Sequence, residues 1–271
     1  MTTRRTRLLV TVLLLVFCVA VTGRGVSGQF RYWSGQNVVP VFEGWERNPD
    51  GSFNFVFGYF NRNYEETLDI LVGPDNNIEP GGPDQGQPTF FAAARQKFIF
   101  RVRVPKDWPA AKRLVWTLTA RGKTEKANAF LLPEWEMNSQ VMALNGGGGG
   151  GGGIDEDYNQ PPVITFARPL SVAFPGTTPV VASVTDDGVP KPRATRRGGP
   201  PRALLRVAWL QFRGPVGGRV SFSPSSSPVE NGKAETVATF TMPGQYSLLG
   251  MAMDGGASST ATVTVDAGAR Q

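Results

Sequence analysis

Adjacent carboxylates are the first residues in this 271-residue chain that could do chemistry. Glu65-Glu66 and Asp155-Glu156-Asp157 supply paired acidic groups, and two carboxylates can hydrolyse a glycoside without histidine. Neither pair suits the task. Neighbours along a strand point to opposite faces, so Glu65 and Glu66 diverge if their segment is extended. The acidic triplet borders a run of glycines that gives it no scaffold. Other chemistry is narrower still, because the chain has no histidine and its single cysteine is Cys18. Ser-His-Asp triads, Cys-His pairs and zinc sites built on His or Cys are therefore excluded beyond the N-terminal segment. No Ser-x-x-Lys motif follows that segment either. The residues predict a non-catalytic protein with no cofactor, and a small carboxylate-based hydrolase is the reading they support least.

Binding chemistry has more to draw on. Asp75, Asn77 and Asp84, with Asn76 and Glu79, line one loop with the hard oxygen donors that calcium takes. Their spacing lacks the alternate ligands and fixed glycine of an EF-hand, and Asp and Asn also bond their own backbone in turns. Asp186-Asp187-Gly188 reads as a turn that ends a strand. No metal site is expected, and Asp75, Asn77 and Asp84 are the donors that would hold calcium if one exists. Five tryptophans, Trp33, Trp45, Trp108, Trp116 and Trp135, precede residue 145. Trp116 sits on the apolar face of its strand and belongs to a core. Trp108 and Trp135 lie in loops beside prolines, where they either plug the fold or offer a ring on which a sugar could stack. Finally, Lys191, Arg193, Arg196, Arg197, Arg202 and Arg206 set six positive charges within sixteen residues. Such a run docks on anionic surface or stays solvated. No aromatic residue interleaves it, which argues against nucleic acid.

These side chains need a scaffold, and its first boundary is N-terminal. Arg4, Arg5 and Arg7 precede a fourteen-residue stretch, 8–21, that is apolar but for Thr11, and small residues follow at Val26-Ser27-Gly28. That is the order of a Sec-type signal peptide over residues 1–28. Fourteen residues span about 21 Å as a helix, short of a hydrocarbon core of roughly 30 Å. Export is the expected location, periplasmic, cell-surface or secreted. An uncleaved signal is the one route to a membrane. Removing its four arginines leaves 24 basic against 22 acidic residues. The next boundary is the eight-glycine run 146–153, which reads as part of a flexible linker, 145–160, ended by Pro161-Pro162. A phosphate-binding loop would need a preceding strand and a closing Lys-Ser or Lys-Thr, and none is present.

Between these boundaries the apolar residues recur with period two. Phe53, Phe55, Phe57 and Tyr59 alternate along one segment, and Leu114, Trp116 and Leu118 along another. Phe98, Phe100, Val102 and Val104 do the same, with Ile99 out of step. Alternation marks strands with one face on a core and one face wet. Asn48-Pro49-Asp50-Gly51 predicts a hairpin between 38–45 and 52–61, and Gly122-Lys123 a turn between 114–120 and 125–132. The stretch 73–88 reads as an irregular insert. Past the linker, strands are expected over 163–166, 170–174, 180–185, 204–212, 219–223, 236–241, 244–253 and 259–265, with Asp254-Gly255 as a hairpin turn. The fold class is all-β: two antiparallel immunoglobulin-like β-sandwiches at 29–144 and 161–267, with a short tail at 268–271.

The second unit carries Thr185-Asp186-Asp187-Gly188, Leu205-Arg206-Val207-Ala208-Trp209, Gly214-Pro215, Val220-Ser221-Phe222, Ala238 through Tyr246, Asp254-Gly255 and Thr262-Val263-Thr264-Val265. In this order it resembles the PKD-like and immunoglobulin-like repeats of bacterial surface proteins. The resemblance implies a sandwich of about seven strands, with Trp209 as the buried tryptophan and Tyr246 as the corner tyrosine. Leu248 then stands where antibody domains place a cysteine. The basic insert 191–202 departs from the pattern. With Asn37 through Trp45, Phe57 through Asn63 and the Pro-Gly-rich residues 73–88, the chain also looks like an uncharacterised group of exported proteins of soil-type bacteria. That likeness implies architecture and export only. The expected function is binding or structural work at the cell surface or outside the cell. The partner would be an envelope or extracellular protein or polysaccharide, and carbohydrate binding as an accessory module is the alternative.

Overall fold

Strand β1 (Val38–Arg47) turns back through Asn48–Ser52 into β2 (Phe53–Asn61), as the Asn-Pro-Asp-Gly sequence predicts. Asp50 closes the turn by accepting from the backbone N–H and the hydroxyl of Ser52. The computed structural model describes residues 32–138, 141, 159–189 and 204–269. The signal segment 1–28, the glycine run 146–153 and the basic residues Lys191, Arg193, Arg196, Arg197 and Arg202 lie outside them. Among the described residues no helix is long and apolar enough to cross a membrane.

The first half continues with β3 (Leu68–Asp69), β4 (Asn76–Glu79), β5 (Phe90–Phe91), β6 (Ala94–Val104), β7 (Leu114–Ala120) and β8 (Lys123–Ala129). They form sheets β1-β2-β6 and β4-β7-β8 and a ribbon β3-β5. The β7–β8 turn falls on Arg121-Gly122, both at positive φ, one residue before the expected place. The stretch 73–88 is less irregular than its composition predicts. Asn76–Glu79 pairs with β7, because Asn76 is buried and donates its amide to the carbonyls of Ile70 and Pro88 while accepting from the Trp116 indole. Phe55, Phe57, Phe100, Ile78 and Trp116 fill the space between the sheets.

The second half comprises β9 (Val163–Thr165), β10 (Leu170–Phe174), β11 (Thr177–Thr185), β12 (Arg206–Arg213), β13 (Val220–Ser223), β14 (Ser226–Pro228), β15 (Lys233–Phe240), β16 (Gly244–Met253) and β17 (Ser258–Ala269). Sheet β10-β17-β16-β12-β14 faces sheet β13-β15-β11-β9. Pairing between strands is antiparallel apart from β10 against β17. Residues alternate between buried and exposed along β11 and β15, so one face packs and the other meets water. Trp209 is buried and donates its indole N–H to Ser227 Oγ at 2.9 Å. The Tyr246 hydroxyl donates to the carbonyl of Met242 at 2.8 Å, the tyrosine corner of immunoglobulin-like sandwiches. Leu248 packs in the same core.

Two bulges decide how the halves meet. In β6 the register against β2 slips between Phe57 and Tyr59, and Phe98 takes a φ of 56°. Residues 97–99 stand opposite Gly58 alone, and the two extra residues turn Ile99 into the sandwich core and send Phe98 to the back face, against Val56, Met137 and Ala257. This is why Ile99 breaks the sequence alternation. In β12 the slip leaves Phe212 unpaired, and Phe212 joins Leu249 and Met251 on the core of the first half. The described residues accordingly make one compact unit.

Candidate functional site

The second half brings two arginines to the junction, and the first half meets them with carboxylates. Arg213, at the end of β12, donates to both oxygens of Asp84 at 2.8 and 3.0 Å and to the carbonyl of Gln87. Arg219 donates to Asp69 at 2.9 Å and lies over the ring of Phe90. Backbone bonds reinforce both contacts: Thr89 N–H donates to the Phe212 carbonyl, and Gly217 N–H to Asp69. Arg213 holds the Asp84 carboxyl below its ordinary value of 3.8 by hydrogen bonding to its charged form. The junction leaves a cleft of about 570 Å³ lined by Phe100, Arg101, Arg213, Ser247, Thr260 and Thr262, among others. Both arginines are engaged, Arg101 with Glu46 and Arg213 with Asp84, so the cleft presents hydroxyls and apolar carbon.

Most acidic side chains of the first half are likewise paired. Glu43 meets Arg95 at 2.6 Å, Glu66 meets Arg121, Asp50 meets Arg103, and Glu136 meets Arg47. Burial pushes the Glu43 carboxyl up, and the Arg95 guanidinium offsets only part of that shift. Glu65 and Glu66 both donate their backbone N–H to the Trp33 carbonyl, and the Glu66 carboxylate is bound by Arg121 and the N–H of Gly35. They act as fasteners of one loop.

Two of the three calcium donors suggested by the sequence already have protein partners. Asp84 is taken by Arg213, and Asn77 donates its side-chain amide to the Pro74 carbonyl. Among the described residues no three His, Cys, Asp or Glu side chains gather as metal ligands. The two loop tryptophans differ. Trp108 is half-buried, edge-on to Phe55, with the Lys112 ammonium 4.2 Å from its ring centre. Its indole N–H goes to the Lys112 carbonyl, so it plugs its own loop. Trp135, in a 3-10 turn over Pro133–Trp135, stacks one face on Phe42 at 5.4 Å and remains 42% exposed.

A more open aromatic surface lies elsewhere. Tyr32, Trp33 and Tyr64 are each at least half exposed, and the Trp33 and Tyr64 rings meet edge to face at 5.3 Å. Buried asparagines fix the backbone beneath them. Asn63 accepts from Gln36 N–H and donates to the Gln36 carbonyl, while Asn61 donates to the carbonyls of Glu66 and Phe91. Tyr64 N–H closes the pair of segments onto the Tyr32 carbonyl. The sequence marks Trp108 and Trp135 by their neighbouring prolines, and Tyr32, Trp33 and Tyr64 carry no such mark. The Asn61-Arg62-Asn63 run beside Tyr64 was the signal available.

No known protein family matches the chain, and no curated protein matches it. Solved structures with some likeness include a conjugative transposon lipoprotein from Bacteroides eggerthii, at 13% identity over 39% of this chain and 96% of that one, with a TM-score of 0.26. Domains 4 and 5 of the S-layer protein SbsC match at 10% identity over 74% and 81%, with a TM-score of 0.26. The fibronectin(III)-like modules of Clostridium thermocellum CbhA match at 11% identity over 86% and 95%, with a TM-score of 0.25. These likenesses are remote. The all-β assignment rests on the chain's own strands, its paired sheets and its tyrosine corner.

Proposed function

We propose that the chain is exported and works as a non-catalytic binding or structural protein at the cell surface or outside the cell. The observation that supports this best is the use made of its carboxylates. Glu43, Glu46, Asp69 and Asp84 each face an arginine across strands or across the junction, so these carboxylates are engaged in holding the fold. Two sandwiches held by such contacts present their outer surfaces at a set spacing, which suits a partner that is itself extended. Residues 1–28 supply the export signal, and the partner is an envelope or extracellular protein or polysaccharide. The test is fractionation of cells making the full chain with a C-terminal tag, followed by N-terminal sequencing. The expected product starts at Gln29 in the envelope or the medium. A product that keeps Met1 in the cytoplasm overturns the reading.

Carbohydrate binding is the second reading, and the exposed Tyr32, Trp33 and Tyr64 rings favour it over Trp108. Flat rings on a fixed backbone stack on sugar faces at small entropic cost. Retention on insoluble polysaccharide that persists in high salt and is lost in Trp33→Ala would support it. Absence of retention on every polysaccharide tried removes it and leaves a protein partner.

A further inference from the structure

Where the chain enters the second sandwich, three polar side chains from separate segments gather. Asn159 precedes β9, Asp186 follows β11, and Asp254 opens the hairpin between β16 and β17. Asn159 is 5% exposed and Asp254 2%. Asp254 Oδ1 accepts the backbone N–H groups of Gly256 and Ala257, both at 2.6 Å, while its Oδ2 has no partner. Asp186 Oδ2 accepts the N–H of Gly188 at 2.9 Å, and its buried Oδ1 has none. Asn159 has neither its Oδ1 nor its Nδ2 bonded. Asp254 lies within electrostatic reach of both Asp186 and the Asn159 side chain. Neighbouring bonds pin the three segments together, Gln160 N–H to Asp187 Oδ2 at 2.8 Å and the Ser259 hydroxyl to the Pro162 carbonyl. Among the described residues, every other buried side-chain polar atom is bonded except Ser258 Oγ, on the same hairpin.

Unbonded buried polar atoms are rare in native proteins, and a concentration of them asks for a missing partner. Here the unpartnered oxygens belong to two carboxylates and a carboxamide, and none of the described ion pairs involves Asp186 or Asp254. Asp254 is a buried carboxylate and Asp186 a partly buried one, and a buried charge with no cation beside it among the described residues is costly. We infer that Asn159 Oδ1, Asp186 Oδ1 and Asp254 Oδ2 bind one calcium ion. The donors are all oxygen, which excludes metals that need nitrogen or sulfur, and two carboxylates match a divalent charge. Calcium accepts six to eight oxygens in irregular arrangements, so water and backbone carbonyls complete its shell, whereas magnesium demands a regular octahedron. The ion ties the entry of the second sandwich to the β16–β17 hairpin, whose Ala257 packs on Val56 and Phe98 of the first.

The test uses the full chain, stripped with chelator, titrated with calcium chloride by calorimetry and melted with and without the ion. One ion per chain is expected, with a Kd of roughly 10⁻⁵–10⁻³ M, and a higher Tm in calcium. Asp254→Asn and Asn159→Ala should each weaken binding by about tenfold or more. Asp84→Asn, in the other oxygen-rich loop, should leave it unchanged. If Asp254→Asn does not fold, Asn159→Ala decides, since that substitution leaves both carboxylates in place. The inference is overturned by no heat and no Tm shift at about 10 mM calcium. It is equally overturned by binding that survives Asn159→Ala or that Asp84→Asn abolishes.

Discussion

Asp84 stands at the junction of the sandwiches with its carboxylate in the fork of Arg213. Its pKa in the folded chain lies below the ordinary 3.8, because the bonded form is the charged one. The pair therefore contributes stability above that ordinary value and loses it as pH falls through the lower folded value. Asp84 is half exposed, so solvent screening keeps the contribution to about 0.2–1 kcal/mol. Urea unfolding of the unsubstituted chain and Asp84→Asn should differ by that amount at neutral pH. The two should converge as the pH falls below 3.8. A gap that persists in acid would assign the effect to packing. The residue scale is also where the sequence said most about the second half. Trp209 and Tyr246 were readable because each sits in a short motif whose neighbours share its strand. Asn159, Asp186 and Asp254 were not, since three distant segments must fold before they meet.

At the scale of elements, strict alternation made most strands legible and its interruptions marked the rest. Leu170–Phe174 and Gly244–Met253 lie where their apolar spacing places them. Ser226–Pro228 was missed because three polar and turn-forming residues carry no period. The misplaced Ile99 was the visible trace of the β6 bulge. Opposite that bulge Gly58 has no room for a side chain: a Cβ there would collide with the Glu43 carboxylate and the backbone oxygen of Gln96. Gly58→Ala should destabilise the chain by about 1–3 kcal/mol, read as a lower urea midpoint with little change in slope. A midpoint equal to that of the unsubstituted chain would mean the bulge can relax. The second bulge was invisible in advance. Leu205 through Trp209 alternate normally, and only pairing with β16 shows that Phe212 is the extra residue.

For the whole molecule, composition predicted two sandwiches and export but could not say whether the sandwiches touch, because glycine runs specify freedom and nothing about the surfaces they join. The described residues show a shared apolar core, in which Phe212, Leu249 and Met251 pack with the first half, bordered by the Arg213–Asp84 and Arg219–Asp69 pairs. The proposed binding or spacing role depends on that union, since a fixed pair sets the distance between outer surfaces and a loose pair does not. Differential scanning calorimetry of the full chain tests it most directly. One cooperative transition is expected, splitting or broadening when Asp69 and Asp84 are both changed to Asn. Two separate transitions in the unsubstituted chain would contradict the account and return the sandwiches to independent modules on a tether.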